Sequence, residues 1–218
     1  MKRFAGAVSC LIVLFALPAP AAAQTAAADS ARYYAEFNGG ATFGHKSSGS
    51  IGGEGGWKVS GPYVIFVEGG RMFNVGTQAL DDRANIIANA IGATASSSYK
   101  VNYFDAGLRY EIPVMMEHVH PYIAVGFGLA SVHAETAFAV NGTTVPPESL
   151  GISLGDDLNG TVNKAIFTIG GGVVYPFGER YFIDGTFRYG RIFPRTGVIE
   201  NDEGINTARL QIGAGIRF

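Results

Sequence analysis

Hydrophobic and polar residues alternate along most of the chain with a period of two, which is the repeat of a β-strand. The segment 208–218 shows the pattern most clearly. Its apolar face runs from Leu210 to Phe218, and its other face carries Arg209, Gln211 and Arg217 among glycines. A soluble β-sandwich would produce the same alternation. The number of strands and the lengths of their connections therefore decide between the two architectures.

We predict eight strands, most of them ten or more residues long. Strands that cross a membrane have about 9–11 residues, whereas strands of soluble sheets have about five or six. The pattern therefore predicts an all-β fold, an eight-stranded antiparallel transmembrane up-and-down β-barrel. The predicted strands are 32–44, 50–59, 63–74, 98–112, 121–134, 164–175, 181–193 and 208–218.

The connections alternate in length, which is typical of outer-membrane barrels. Short or middling turns are predicted at 60–62, 114–121 and 176–180. The other connections are longer, at 74–97, 135–163 and 193–207, apart from a short loop at 46–49. Long loops of such barrels face outside, so an even strand count predicts that both termini are periplasmic.

Aromatic residues concentrate where the two ends of the strands are predicted. Aromatic rings favour the membrane interface because they combine an apolar body with a polar edge or hydroxyl group. We interpret them as two girdles rather than as a soluble core. The predicted girdle on the turn side contains Trp57, Tyr63, Tyr110, Tyr122, Tyr175, Tyr181 and Phe218, and that on the loop side Phe43, Phe73, Tyr103, Tyr189 and Phe193.

The first residues have the pattern of a cleaved export signal. Lys2 and Arg3 precede an apolar run that ends near Pro18, and small residues follow up to Ala23. The run is shorter than the about 20 apolar residues that span a bilayer as a helix. We therefore predict a signal peptide at 1–23, a short periplasmic segment at 24–31 and the barrel at 32–218. The only cysteine, Cys10, lies inside the predicted signal, so the mature chain has no thiol.

Composition narrows the class further. Charged residues make up 16% of the chain, below the about 25% that is usual for soluble domains. Removal of Lys2 and Arg3 leaves 14 basic and 18 acidic residues, a net charge of −4. This balance gives no basic surface for nucleic acid. Glycine is abundant, with 31 residues, and many glycines fall inside predicted strands, where they allow the curvature of a narrow barrel.

Five segments resemble the outer-membrane β-barrel domain family, which includes the OmpA-like and Opacity-like small barrels. They are 104–110 (FDAGLRY), 121–128 (PYIAVGFG), 170–175 (GGGVVY), 184–190 (DGTFRYG) and 212–218 (IGAGIRF). The resemblance covers nearly all of the mature chain and implies the fold rather than an activity. It also implies that Phe218 is the C-terminal signal read by the barrel-assembly machinery.

With the apolar faces towards lipid, the opposite faces fill the barrel with charges of both signs. Six acidic and five basic side chains nearly balance, as a closed interior requires, because a buried charge without a partner costs several kcal/mol. An eight-stranded barrel is only just wide enough for its side chains, so we predict a plugged lumen. The predicted interior residues are Glu36, Glu54, Lys58, Glu68, Asp105, Arg109, Glu111, Asp184, Arg188, Arg209 and Arg217.

Three short motifs leave alternative chemistry open. His45 and Ser47 have the spacing of the His-x-Ser pair of outer-membrane lipid A deacylases, with Glu54 as the nearest candidate carboxylate. His118 and His120 flank one residue, a spacing that can chelate a metal. The segment 156–160 (DDLNG) has oxygen ligands without the spacing of an EF-hand. For each motif the structural interpretation, a polar loop or turn, is favoured.

These observations predict a non-enzymatic integral outer-membrane protein without a cofactor or a metal. Its expected role is to support envelope integrity or to display surface loops for contact. The alternatives are a small porin-like channel and, less favoured, a lipid-modifying enzyme. The expected partners are outer-membrane lipid and lipopolysaccharide, the barrel-assembly machinery and a surface ligand bound by the long loops.

Overall fold

Among the residues described by the computed structural model of the chain, nine antiparallel strands form one sheet. The structure describes residues 31–113, 118–152, 154–155, 158–194 and 204–218. The predicted signal peptide lies outside these residues. The strands are β1 (Tyr33–Phe43), β2 (Ser48–Ser60), β3 (Tyr63–Met72), β4 (Thr94–Glu111), β5 (His120–Val140), β6 (Thr143–Val145), β7 (Gly160–Phe177), β8 (Tyr181–Ile192) and β9 (Ile205–Arg217).

Eight of these strands close into a barrel. Neighbours along the chain pair around the sheet, β1 pairs with β9, and β4 pairs with β5, so no edge of the barrel remains open. The short β6 pairs with the far end of β5 and is not part of the wall. The predicted eight-stranded up-and-down barrel is thus confirmed. We call the end with the turns 61–62 and 178–180 the turn end, and the opposite end the loop end.

Alternation along each strand separates two faces. On β8, for example, Phe182, Asp184, Thr186 and Arg188 are buried and alternate with exposed residues such as Phe187. The outward face is apolar, with Phe37 67% exposed and Leu129 65% exposed. Such a surface is inside out relative to a soluble protein and fits a lipid environment.

The loop end contains more regular structure than the sequence predicted. Strands β4 and β5 continue past the wall as a two-stranded extension in which Thr94–Ser98 pairs with Glu135–Ala139. The connection between β3 and β4 holds a helix, α1 (Gln78–Ala90), where we expected a loop. The Thr77 hydroxyl caps α1 by accepting a hydrogen bond from the Leu80 N–H at 3.4 Å. A 3₁₀ turn, Pro147–Leu150, follows β6.

None of the helices in the described part of the chain is both long and apolar enough to cross a membrane.

Aromatic residues form the predicted belt at the turn end, with exceptions. Tyr33 stacks on both Trp57 and Phe218, with ring centroids 6.4 and 6.1 Å apart. Two tyrosines assigned to girdles are instead buried inside the barrel: Tyr103 is 4% exposed and Tyr122 is 2% exposed. Their assignment was wrong because they occupy positions of β4 and β5 whose side chains point into the barrel.

Candidate functional site

Three layers can be distinguished in the barrel interior, which also buries uncharged polar side chains such as Asn38 and Gln211. At the loop end lies an apolar cluster formed by Met72, Val75, Val101, Tyr103, Ala130, Val132, Ile166, Ile192 and Ile205. At the turn end lies a second cluster of Phe66, Tyr122, Ala124, Val174 and Phe182, with Tyr34 packed against it. Between them lies a layer of charged side chains, which we call the ionic layer. Its members are Glu36, Glu54, Glu68, Asp105, Arg109, Asp184, Arg188 and Arg209, each 8% exposed or less.

One wall of the ionic layer is acidic. Glu36 of β1 lies beside Glu54 of β2, Glu54 beside Glu68 of β3, and Glu68 beside Asp105 of β4, all in direct cross-strand register. Side chains in this relation have Cβ atoms about 4.5–5.5 Å apart, and like charges there are destabilising. The barrel can hold four such carboxyl groups only with cations close by.

Arginines on the opposite wall supply those cations. Arg188 of β8 and Arg209 of β9 are cross-strand partners. Arg209 reaches across the lumen to Glu68 with two contacts, Nη1 to Oε1 at 2.8 Å and Nη2 to Oε2 at 3.3 Å. Arg188 donates to the Glu68 carboxylate at 2.5 Å and also to Glu54. Such forked pairs are the strongest hydrogen bonds that guanidinium groups make.

Arg109 completes the network near the turn end. Its Nη2 donates to Glu54 Oε1 at 2.5 Å and lies 3.5 Å from Asp184 Oδ2. The guanidinium carbon lies 3.8 Å from the centroid of the Tyr122 ring and 5.0 Å from that of Tyr34, so the cation rests between two aromatic faces.

Hydroxyl groups that the sequence analysis did not predict satisfy several carboxylates. Tyr34 donates to Glu54, Tyr103 donates to Glu68 at 2.8 Å, and Tyr122 donates to Asp184 at 2.7 Å. Thr168 donates to Asp105 at 2.5 Å. The sequence pattern could have found two of these groups, because Tyr34 and Tyr103 each lie two residues from a predicted inward carboxylate, Glu36 and Asp105, on the same strand.

Glu36 differs from the other carboxylates. It makes no hydrogen bond with the described residues, and its Oε2 is buried. A Cβ atom on Gly213 would lie 1.9 Å from Glu36 Oε1, so the glycine makes room for this carboxyl group. Gly213 is the cross-strand partner of Asp184, which brings the two carboxyl groups close together.

The remaining predicted residues lie nearer the turn-end opening. Lys58 and Glu111 share the inward parity, but their side chains are 32% and 35% exposed, and they form an ion pair at 3.3 Å. The Arg217 guanidinium carbon lies 5.2 Å from the centroid of the Phe182 ring. These three residues therefore border the lumen opening rather than fill the ionic layer.

The deacylase-like alternative gains no support from the described residues. His45 Nε2 lies 3.3 Å from Asp81 of α1, and Glu54 is bonded to Tyr34, Arg109 and Arg188 in the interior. Glu54, the nearest candidate carboxylate, therefore points into the lumen, as its place among the predicted interior residues requires, and not towards His45. No hydrogen bond joins His45 and Ser47 among the described residues.

The metal-binding alternatives gain no support. Within the described ranges, no three His, Cys, Asp or Glu side chains come together in a group that could hold a metal ion. The His118 ring packs near Tyr175, with centroids 6.4 Å apart. Asp156 and Asp157 of the calcium-like segment lie outside the described residues.

Several solved structures are similar to this chain, and the first of them supports the fold. Neisserial surface protein A has 12% sequence identity and a TM-score of 0.53, with 85% of this chain and 97% of that chain covered. The N-terminal β-barrel domain of Pseudomonas aeruginosa OprF has 13% identity and a TM-score of 0.45, covering 87% and 100%. Ail, the attachment invasion locus protein of Yersinia pestis, has 12% identity and a TM-score of 0.46, covering 86% and 97%.

No curated protein matches the sequence. The model of the outer membrane protein beta-barrel domain family, however, matches residues 9–218, which include the whole barrel. With the closed eight-stranded wall and the apolar outward face, this match shows that the chain is an outer-membrane protein and belongs to the outer membrane protein beta-barrel domain family.

Proposed function

We propose that this protein is a non-enzymatic outer-membrane barrel with a closed lumen, which supports envelope integrity or displays its loop end for surface contact. The observation that carries the proposal is the layered interior. An ionic layer between two apolar clusters resembles the core of a soluble protein more than the lining of a pore.

The ionic layer blocks the lumen because its bonds join strands on different sides of the wall. Arg188 of β8 reaches Glu54 of β2 and Glu68 of β3, and Arg209 of β9 also reaches Glu68. A hydrated ion would have to break several of these charge-assisted bonds and then cross an apolar cluster. Breaking one buried ion pair alone costs about 3–5 kcal/mol.

The charged groups of the interior are also poorly suited to catalysis. Catalytic acids and bases must reach a substrate, whereas Glu54 and Glu68 are held by arginines and tyrosines and are 5% and 1% exposed. At the loop end, Asp81 binds Lys46 at 2.7 Å in addition to His45. This arrangement supports a structural role for Asp81, which ties α1 to the rim.

The loop end is built to present a defined surface. Lys46 Nζ also donates to the Ser97 carbonyl at 2.9 Å, so one side chain connects the β1–β2 loop, α1 and β4. Ala84 and Ala88 of α1 are buried, whereas Ile86 is 68% exposed. Loops that a rigid scaffold holds in place are common sites of partner binding, which supports a display role for this end.

Planar-bilayer recording tests the closed lumen. The purified barrel is expected to give no stable single-channel steps. A variant in which a short Gly-Ser turn replaces α1 is expected to behave in the same way, because the three interior layers remain. Reproducible steps of one size from the native protein would refute the proposal and favour the porin-like alternative.

Dye exclusion separates the two roles that remain. In cells that lack the protein, an integrity role predicts that uptake of a hydrophobic dye rises, and that the native protein and the variant without α1 both restore exclusion. Unchanged dye uptake on removal of the protein would reject the integrity role and favour loop display.

We also propose that the loop end faces outside and that both termini are periplasmic. The only cysteine is Cys10, so introduced cysteines report unambiguously. An Asn89→Cys variant in α1 is expected to react with a membrane-impermeant maleimide on intact cells, and a Glu179→Cys variant in the turn 178–180 is not. The reverse labelling would overturn this orientation.

A further inference from the structure

The apolar outward face ends, towards the loop end, at a row of polar residues that crosses four strands in register. Arg71 of β3 lies beside Asn102 of β4, Asn102 beside Ser131 of β5, and Ser131 beside Asn163 of β7. Two residues nearer the turn end, the outward side chain of β4 is Phe104, which is 58% exposed. With the exposed ring of Phe73 just beyond it on β3, this row lies in the region where lipid tails give way to headgroups.

Arg71 has an unusual position in this row. It is exposed and has no hydrogen-bond or ion-pair partner among the described residues. On the same face of β3, Val67 lies four residues nearer the turn end and Phe73 two residues nearer the loop end, and they are 41% and 43% exposed. An arginine between apolar neighbours is costly within the hydrocarbon, so the Arg71 side chain is expected to extend to the interface, where lipid headgroups lie.

A second cation lies close to Arg71. Lys100 of β4 points outward, two residues beyond Asn102, and is thus diagonal to Arg71 in the ladder. Diagonal neighbours are about 7–8 Å apart at their Cα atoms, a span that the two long side chains bridge easily. Lys100 binds Glu135 at 3.1 Å, but Glu135 is 59% exposed. Such exposed ion pairs contribute little and exchange readily.

We propose that Arg71, Lys100 and Asn102 bind the phosphate group of a membrane lipid on the outward face of the barrel. Arg71 offers a planar fork for two phosphate oxygens, Lys100 a compact positive charge and Asn102 an amide donor. All three lie on neighbouring strands of a rigid wall, at the depth where headgroups lie.

The site is independent of the lumen, so its test does not depend on whether the barrel conducts. The full-length barrel in neutral detergent micelles is mixed with diphosphorylated lipid A, with dephosphorylated lipid A or with phosphatidylglycerol. Native mass spectrometry then measures the fraction of barrel that carries bound lipid. The double variant R71Q/K100Q is compared with the native protein, and R180Q, which removes an exposed arginine at the turn end, is the matched control.

The native protein is expected to retain phosphorylated lipid A more strongly than the dephosphorylated form. R71Q/K100Q is expected to weaken this binding about tenfold, and R180Q to leave it unchanged. Retention of phosphatidylglycerol as well as lipid A supports a general phosphate site, and retention of lipid A alone supports a site for its phosphomonoesters. Equal binding of both lipid A forms, or an equal loss in R180Q, would overturn the proposal. Urea unfolding of each variant in the same micelles, without added lipid, checks that the variant is folded.

Discussion

Replacement of Arg188 by methionine is the sharpest test of the ionic layer. Methionine has a similar length without the charge, so the substitution removes the bonds to Glu54 and Glu68 while it fills most of the space. It also removes the cation that lies 4.6 Å from the centroid of the Phe66 ring. The acidic wall of β1–β4 would then face one arginine fewer.

The expected loss of stability depends on the partners that each carboxylate keeps after Arg188 is replaced. Glu54 keeps Arg109 and Tyr34, and Glu68 keeps Arg209 and Tyr103. Removal of one partner from a buried ion pair costs about 3–5 kcal/mol. Because neither carboxylate becomes unpaired, we expect the lower end, about 3 kcal/mol, which is roughly a 150-fold change in the unfolding equilibrium.

Urea unfolding in micelles or vesicles measures this loss. Trp57 is the only tryptophan, and it lies half-exposed on the outward face, so its fluorescence should shift when it leaves lipid. Arg191→Met is the matched control, because Arg191 lies on the same strand, points outward and donates to Asn206 at 2.7 Å. We expect that control to cost less than about 1 kcal/mol.

A double-mutant cycle makes the reasoning refutable. Arg188→Met combined with Glu68→Gln should cost less than the sum of the single changes by at least about 1 kcal/mol, because the two groups interact directly. Additive losses, or an Arg188→Met loss no greater than that of Arg191→Met, would show that the ionic layer does not stabilise the barrel in the way described.

Three further predictions concern the wall and its ends. Gly107→Ala should destabilise the barrel by more than about 2 kcal/mol in the same urea assay, because the added Cβ would lie 2.0 Å from a backbone oxygen of β5. Gly185→Ala should cost less than about 1 kcal/mol, because no atom lies within 4 Å of the added Cβ. Equal losses of stability in the two variants would contradict this prediction. Phe218→Ser should lower the fraction of heat-modifiable, folded barrel in the outer membrane, because it removes the ring stacked on Tyr33; an unchanged fraction would reject an assembly role. Lys46→Met should increase proteolysis within α1 without changing barrel stability, because it removes the bonds from Lys46 to Asp81 and to the Ser97 carbonyl and leaves Asp81 only its contact with His45. Unchanged proteolysis would show that Lys46 does not hold α1.

The strands and their two faces were predictable because the alternation of apolar and polar residues shows directly which residues share a face. Arg188 and Glu54 were predicted inside from parity alone, and the structure buries both. Their pairing across the lumen was not predictable, because it depends on the stagger of the closed wall and on how far each side chain reaches. The alternation also does not show how far along the barrel axis a residue lies. Lys58 at the opening therefore could not be distinguished from Glu54 in the middle.

The apolar layers were missed for a different reason. In the stretch that contains Ile166 and Phe167, both faces of β7 are apolar, so alternation disappears where lipid lies on one side and the interior cluster on the other. Helix α1 was missed because the whole segment 74–97 was interpreted as a long loop between two strands. Leu80, Ala84 and Ala88 recur at helical spacing behind the Thr77 cap, and this signal could have predicted the helix.

The bonds across the lumen have a mechanical consequence. Backbone hydrogen bonds run around the circumference and keep neighbouring strands together, but they do not prevent a thin cylinder from flattening. The arginines of β8 and β9 connect to carboxylates of β2 and β3 on the far side, as cross-struts do inside a tube. The barrel should therefore keep a round cross-section when the lateral pressure of the membrane changes, and the loop end would then keep its shape as well.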